Sequence, residues 1–297
     1  SNTFVTMNAA SMENSGFEFS ATYRNRDHAL KYDISANVST LKNKVTSLGI
    51  GKNSYITGAY ATYVGQEIGK FYGWVYEGIA RTQDELDGHA TQQGANVGDC
   101  LYKDISGPNG EPDGVIDAYD QTVLGSGLPK VNFGLSTHME YKGFDLNIST
   151  YGVLNYHVSD DIYNSLNSCY GYGNKEVGML DANRWSEDGS TYLSSVPRTY
   201  AANNATLGWN DLFSSRKIQN AAYWKIANVE LGYNFPDKWF GGYVSGVRLY
   251  VSAQNLYTFT GYLGYNVDYA GGTFTPGYNF CSFPSARTFM CGLHFTF

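Results

Sequence analysis

The side chains best suited to chemistry in this sequence lie in NGEPDGVIDAYD, residues 109–120. The segment aligns with the twelve-residue loop of EF-hands, in which carboxylate, amide and carbonyl oxygens converge on one calcium ion. Gly114 falls at the sixth position, where the sharp turn of that loop requires glycine. The predicted calcium ligands are Asn109, Glu111, Asp113, the carbonyl oxygen of Val115, Asp117 and Asp120.

This segment also departs from the EF-hand pattern. Asn109 replaces the usual Asp at the first position, Pro112 stiffens the turn, and Asp120 is shorter than the usual bidentate Glu. An Asx-rich surface turn held by its own hydrogen bonds is the alternative, and it stays open. A bound calcium ion would order the loop and would not catalyse a reaction, so no cofactor is required.

No catalytic arrangement is evident in the sequence. The five His are scattered, and no GxSxG, HExxH or phosphate-binding motif occurs. The carboxylate pairs Asp160–Asp161 and Glu187–Asp188 are adjacent, and adjacent residues in a strand point to opposite faces. We expect these pairs to be solvated loop charges, and we expect that the protein is not an enzyme.

Aromatic side chains in the long loops are the candidates for contacting a ligand. Their flat apolar faces suit sugar rings and peptide side chains. Packing among the loops accounts for them about as well, so both interpretations stay open. The candidate ligand-binding residues are Tyr170, Tyr172, Trp185 and Trp209.

The composition indicates a β-rich protein and excludes some classes of partner. Charged residues are 16% of the chain, whereas about a quarter is usual for a soluble domain, and 26 Tyr dominate the aromatics. The net charge is −7 and no basic cluster occurs, so nucleic-acid binding is not expected. Whether Cys100 and Cys169, both in long loops, form a disulfide stays open.

Apolar and polar residues alternate in runs that exceed the roughly 5–6 residues usual for a soluble strand. Alternation places the two sets on opposite faces of a sheet. The runs are 17–24, 30–38, 131–141, 144–150, 247–254 and 289–297. We expect one face to meet lipid, with Val247, Leu249, Val251, Leu293 and Phe295, and the other to meet the lumen, with Arg248, Gln254 and His294.

Three features favour an antiparallel transmembrane β-barrel over a soluble sandwich. The polar faces carry charges and amides at many depths, and Tyr and Trp gather at strand ends. Very short turns alternate with the long loops 80–129, 154–221 and 255–287, which are expected to be extracellular. A chain direction that puts those loops outside includes 222–235 as a descending strand and requires 54–64 and 68–79 as further spans. With 3–10 the count is about ten strands.

Six segments in order resemble the C-terminal half of SusC-like TonB-dependent outer-membrane transporters. They are NAASMENSGFEF with YDISANVSTLKNKV, then IGKFYGWVYEGI, GDCLYKDISGPNGEPDGVIDAYDQTVLGSGLPKVNFGLS, YWKIANVELGYNFP, VRLYVSAQNLYTFTGYLGYNVD and PSARTFMCGLHFTF. The resemblance implies that residues 1–297 are the C-terminal part of a barrel of about 22 strands. It also implies that the plug domain, the TonB box and the earlier strands lie outside this chain.

The same resemblance implies a function and partners. It implies import of glycans or peptides across the outer membrane of Bacteroidota, with a SusD-like surface lipoprotein, TonB and the rest of the barrel as partners. The sequence opens as strand and turn with no secretory leader, so we expect a removed start or one piece of a longer protein. A passive porin or adhesin-like barrel and a secreted glycan-binding β-sandwich remain as alternatives.

Overall fold

The computed structural model describes residues 10–49, 51–169, 174–177, 185–186, 194–199, 208–240, 244–269 and 271–297. The predicted first strand, 3–10, therefore lies almost wholly outside the described residues. No helix in the described ranges has the length and apolar character needed to cross a membrane.

Strands dominate the described residues. The first ten are β1 (Ser11–Ser15), β2 (Glu18–Asn25), β3 (Leu30–Thr40), β4 (Lys42–Ser47), β5 (Ser54–Thr57), β6 (Tyr60–Tyr63), β7 (Lys70–Gly73), β8 (Tyr76–Ile79), β9 (Cys100–Tyr102) and β10 (Thr122–Gly125). The next ten are β11 (Val131–Tyr141), β12 (Phe144–Leu154), β13 (His157–Asp160), β14 (Gln219–Asn220), β15 (Tyr223–Phe235), β16 (Gly246–Thr260), β17 (Gly271–Gly272), β18 (Thr275–Pro276), β19 (Tyr278–Asn279) and β20 (Thr288–Thr296). The short helices are α1 (Gln83–Asp87), α2 (Asp161–Leu166) and the 3-10 turns Ala118–Asp120, Gly208–Asp211, Ser215–Lys217 and Asp237–Trp239.

Seven of these strands form one antiparallel sheet in the order β2, β3, β11, β12, β15, β16 and β20. The order in the sheet follows the order in the chain, as in the up-and-down barrels of outer membranes. The pairing of β3 with β11 runs from Leu30 opposite Tyr141 to Thr40 opposite Val131 without a bulge. The predicted class, an all-β antiparallel barrel portion, is confirmed.

The predicted number of spanning strands is wrong. Residues 54–64 and 68–79 do not join the large sheet, because they supply β5, β6 and β7 to a separate four-stranded sheet and β8 to a pair with β9. Because β3 pairs directly with β11, residues 41–130 form a single excursion, that is, one long connection between these two strands. The chain direction therefore requires no further descending strand between them. The described part of the chain thus contributes seven strands to the large sheet, not about ten.

Short and long connections lie at opposite ends of the sheet, as predicted. At one end β11 turns into β12 through Lys142 and Gly143, both with positive φ (49° and 87°), which suits a tight hairpin turn. At the other end lie the long connections 41–130, 155–222 and 261–287. The last is shorter than predicted because β16 continues to Thr260.

One face of the large sheet is apolar and exposed. Leu249, Leu293 and Phe295 share this face and have exposed fractions of 45%, 52% and 47%. Val247 lies on the same face but is only 6% exposed, because Phe235 and Phe295 flank it on the two neighbouring strands. The predicted lumen residues lie on the opposite face in this register. They are Arg248, Gln254 and His294.

Aromatic rings form a band at each end of this apolar face. At the long-loop end, Trp224 stacks on Phe259 with centroids 5.3 Å apart, and Tyr257 contacts Phe259 at 4.7 Å. At the other end, Tyr233 packs against Phe144 at 4.7 Å and continues into a cluster that includes Trp239. Two such bands around an apolar zone are typical of strands that cross a bilayer.

The polar face carries a network of charges centred on Arg248. The Arg248 guanidinium donates to both carboxylate oxygens of the buried Asp145 and to Glu230 at 2.7 Å, and it lies over the Tyr250 ring at 5.2 Å. The network crosses β15 at Gly232, where an added Cβ would come within 2.5–2.6 Å of Arg248 and Asp145. Glycine at this position therefore gives the guanidinium the space to reach its partner.

The apolar face predicts that substitutions at two neighbouring residues differ strongly in their effect on the stability of the full-length protein. We expect Leu293→Arg to lower the stability of the membrane-inserted barrel by about 2–4 kcal/mol, because it places a charge among lipid chains. His294→Arg on the opposite face is the matched control and should cost little. Heat-modifiable migration and urea unfolding in lipid vesicles measure both, and equal stability of the two variants would contradict the face assignment.

The Arg248 network predicts that Gly232→Ala destabilises the barrel by about 1.5–3 kcal/mol, because the methyl group displaces hydrogen bonds made by charged groups. Gly246→Ala is the control, since its Cβ would meet only Thr296 at 3.7 Å, an ordinary contact. Urea unfolding of the full-length protein compares them. A Gly232→Ala protein as stable as the Gly246→Ala protein would show that the network contributes nothing.

Candidate functional site

The candidate site is the set of long connections at one end of the large sheet. Residues 41–130 fold into their own small sheet, in the order β10, β7, β6 and β5. Residues 155–222 and 261–287 meet in a second small sheet, in which β13 pairs antiparallel with β14 and parallel with β19. Each connection therefore has internal structure, and each is held to the others by strand pairing or side chains.

An ion pair with a buried carboxylate joins the first connection to the second. The carboxylate of Asp99, which is 3% exposed, accepts two hydrogen bonds from the Arg198 guanidinium at 2.7 and 2.8 Å. Asn210 donates to the same carboxylate at 2.8 Å and accepts from the backbone N–H of Cys100 at 2.7 Å. Because the Asp99 carboxylate is buried, removal of Arg198 would leave its charge uncompensated.

An apolar cluster lies beside this ion pair. Cys100, Tyr102 and Ile116 form its centre, and Trp74 and Trp209 pack against it with other partly buried side chains. Burial raises the pKa of the Cys100 thiol to about 12, so the thiol is protonated at neutral pH. Cys100 and Cys169 are both buried, and the structure contains no disulfide between them.

Asp160 is buried, which corrects the expectation of a solvated charge. The Asp160 side chain caps α2 by accepting from the N–H of Tyr163 at 2.8 Å, and it accepts from Asn279 at 3.0 Å and from the Tyr262 hydroxyl. Burial, followed by the hydrogen bond to Asp160, raises the pKa of Tyr262, which stays neutral. Asp160 thus ties residues 155–222 to residues 261–287. The pair Glu187–Asp188 lies outside the described residues.

A second tether draws the connection 261–287 toward the polar face of the large sheet. Asp268 accepts from the Lys225 ammonium at 2.5 Å and from the Tyr151 hydroxyl at 3.2 Å. Lys225 and Tyr151 lie opposite each other on β15 and β12, and Lys225 is only 4% exposed. This part of the loop is therefore fixed to the inside of the sheet and does not extend freely from its rim.

The two predicted ligand-binding tryptophans that the structure describes are both packed. Trp209 donates from its indole N–H to the carbonyl of Gln93 at 3.1 Å and lies 6.2 Å from the Tyr102 ring. Trp185 is 9% exposed and covers Gly98, where an added Cβ would come within 2.4 Å of the indole. A role in ligand contact stays a prediction for both, and Tyr170 and Tyr172 lie outside the described residues.

The predicted calcium ligands in 109–120 are spread over a turn and a 3-10 helix. Asp117 and Asp120 form a capping box, in which Asp117 accepts from the N–H of Tyr119 at 2.7 Å and Asp120 accepts from the N–H of Asp117 at 2.8 Å. The fully buried Asp120 also accepts from the backbone N–H groups of Ile105 and Ser106. These two carboxylates thus accept hydrogen bonds from the loop backbone.

The remaining predicted calcium ligands are exposed. They are Asn109, Glu111, Asp113 and Val115. Asp113 accepts from the N–H of Val115 at 3.1 Å, as in an Asx turn, and Gly114 adopts the positive φ (81°) that the alignment required. Within the described ranges, the structure holds no group of three or more His, Cys, Asp and Glu side chains that could bind a metal. The calcium site stays a prediction.

Sequence reasoning did not find the residues that hold the loops together. They are Asp99, Arg198, Asn210, Asp160, Asn279 and Asp268. Each bonds to a partner far away in the sequence, so neither spacing nor a local motif marks it. They share only that they are polar residues in loops of unusual length.

Comparisons with known proteins agree with this geometry. No family model matches the chain. The chain is 30% identical over 98% of its length to TonB-dependent receptor P3 of Formosa agariphila, and it covers 29% of that protein. It is 26% identical over its full length to TonB-dependent receptor SusC of Bacteroides thetaiotaomicron, and it covers 27% of that protein. The RagAB peptide transporter shares the fold, with a TM-score of 0.76 at 22% identity over 96% of this chain and 29% of the matched chain.

The chain thus spans less than a third of the length of the curated relatives it matches. The relatives and the fold together confirm the predicted antiparallel barrel and its location in the cell outer membrane. They also confirm the resemblance drawn from the six sequence segments. Over nearly its whole length the chain is homologous to TonB-dependent receptors, SusC among them.

Proposed function

We propose that residues 1–297 form the C-terminal part of the barrel of an importer that takes up glycans or peptides. Energy is transmitted by TonB through a plug and a TonB box outside this chain, and a SusD-like lipoprotein closes the extracellular mouth. The function is transport and not catalysis. The names of the relatives, which are receptors and a peptide transporter, support this proposal.

The observation that carries the proposal is the division of the large sheet into two chemically different faces. The outer face is apolar and exposed, whereas the inner face holds Arg248, Asp145 and Glu230 in a hydrogen-bonded network. Long connections with their own folded sheets lie at only one end. A sheet with these two faces suits the wall of a pore through a bilayer, and the long connections suit a cover over one end of that pore.

The alternative of a secreted sandwich is disfavoured by the same sheet. A sandwich buries the apolar face of one sheet against a second sheet. Among the described residues, no second sheet covers Leu249, Val251 and Leu293, which are 45%, 52% and 52% exposed. The porin alternative differs from the proposal in energy coupling, which an uptake experiment measures.

The proposal predicts that uptake depends on TonB. In cells that express the full-length protein, deletion of TonB should abolish accumulation of labelled oligosaccharides or oligopeptides, because opening of the plug requires energy. Outer-membrane levels of the protein should stay unchanged. Entry of a small solute through unrelated porins is the control. Uptake that continues at the same rate without TonB would favour the passive porin.

Calcium in residues 109–120 is a second part of the proposal, supported by the carboxylate spacing and by the positive φ of Gly114. We expect the full-length protein to bind one calcium ion with a dissociation constant on the order of 0.1–1 mM, as extracellular calcium modules do. Asp113→Ala should weaken binding, whereas Asp84→Asn, an exposed change in α1, should not. Calorimetric titration that detects no binding at several millimolar calcium would contradict the site.

A further inference from the structure

A cavity of about 310 Å³ lies where the connections 41–130 and 155–222 meet. Every lining residue except Val196 carries a polar group, and the lining consists of Tyr76, Tyr163, Asn164, Asn167, Ser195, Val196, Arg216 and Lys217. The volume is at the lower end of the range usual for small-molecule sites, which is about 300–1,000 Å³. Among the described residues that line this cavity, two are cations and none carries a carboxylate.

The two cations in the lining differ in how their charges are balanced. The Lys217 ammonium donates to the backbone carbonyl of Asp211 at 2.5 Å and lies 3.8 Å from the Asp211 carboxylate. That carboxylate also accepts from the N–H of Cys169 at 3.0 and 3.1 Å. Lys217 is thus held in place by a partner inside the loop.

Arg216 differs from Lys217 in this respect. In the described part of the chain, its partly buried guanidinium makes no hydrogen bond and no ion pair. The titratable groups that interact electrostatically with it include Cys100, Cys169, Tyr76, Tyr102, Tyr163 and the neighbouring cation Lys217. Burial raises the pKa of Cys100 to about 12 and also raises the pKa of Tyr76 and of Tyr102, so these three groups carry no negative charge at neutral pH.

A guanidinium withdrawn from water without an anion is unfavourable, because its charge loses hydration and gains no partner. The planar fork of N–H groups matches the two oxygens of a carboxylate. The other lining groups suit the remainder of such a ligand, since Tyr76 and Tyr163 carry hydroxyl groups and Asn164 and Asn167 carry amides.

We propose that this cavity binds the carboxylate group of an incoming ligand, with Arg216 as the residue that pairs with it. The proposal rests on the proposed import function and narrows its ligands to acidic ones. The carboxylate belongs either to a peptide or to a sugar acid. Both sources present the same group to Arg216, and the experiment separates them.

The test compares charged and uncharged probes on the full-length protein in detergent. The first pair is tetra-alanine and its C-terminal amide, and the second is trigalacturonate and its methyl ester. We expect the carboxylate form of one pair to bind about tenfold or more tighter than its neutral form. The pair that shows the preference identifies the source of the carboxylate.

Substitutions then assign the preference to Arg216. Arg216→Gln should abolish it, and Arg216→Lys should retain a part of it, since the charge stays but the fork is lost. Lys103→Gln is the matched control, because it removes an exposed positive charge from the connection 41–130 outside the cavity. Heat-modifiable migration verifies that each variant is folded. If Arg216→Gln does not assemble, the carboxylate preference of the Arg216→Lys protein tests the proposal instead.

Several outcomes would overturn the proposal. They are equal binding of both forms in both pairs, no binding of either carboxylate probe, and a preference that survives undiminished in the Arg216 variants. TonB-dependent uptake measured in parallel separates the two proposals. Uptake without a carboxylate preference removes this inference alone, whereas a preference without TonB-dependent uptake removes the import function and leaves the binding site.

Discussion

Hydrogen bonding between neighbouring strands is the constraint on which the other features of this protein depend. Lipid chains offer no partner to a backbone N–H or C=O group, so every spanning residue must be paired with another strand. The seven-stranded sheet meets this requirement between its neighbours, from β2 to β20. The outer edges of β2 and β20 have no partner strand within the described residues, and in a bilayer they require further strands of a closed barrel.

Once the backbone is paired, the side chains are free to differ between the two faces. Apolar and aromatic residues on the outside match the bilayer, and on the inside charges such as Arg248 and Asp145 satisfy one another. The same logic recurs in the loops. Asp99 and Asp160 are buried carboxylates whose partners, Arg198 and Asn279, come from distant segments. These bonds give long connections a defined arrangement.

The long alternating runs predicted the strands of the large sheet because a period of two over many residues is typical of a strand and not of a helix. The chain-direction argument failed for 54–64 and 68–79, because β3 pairs directly with β11 and these residues form small sheets within the connection between them. In the segment 109–120, spacing alone could not reveal that Asp120 accepts hydrogen bonds from backbone N–H groups. Arg216 carries no signal in the sequence, because its significance depends on the groups that surround it in the folded chain.

The two ends of the connection 41–130 are joined to each other, and this affects how its length can change over evolution. The N–H of Leu41 donates to the carbonyl of Lys130 at 2.9 Å, and the Lys130 side chain pairs with Glu67. The two ends of the excursion are thus joined where they leave the wall. The entropic cost of closing a flexible loop rises by only about 0.6 kcal/mol for each doubling of its length. Insertions and deletions within residues 41–130 therefore change the stability of the pairing between β3 and β11 little. This connection can diversify over evolution while the large sheet stays the same.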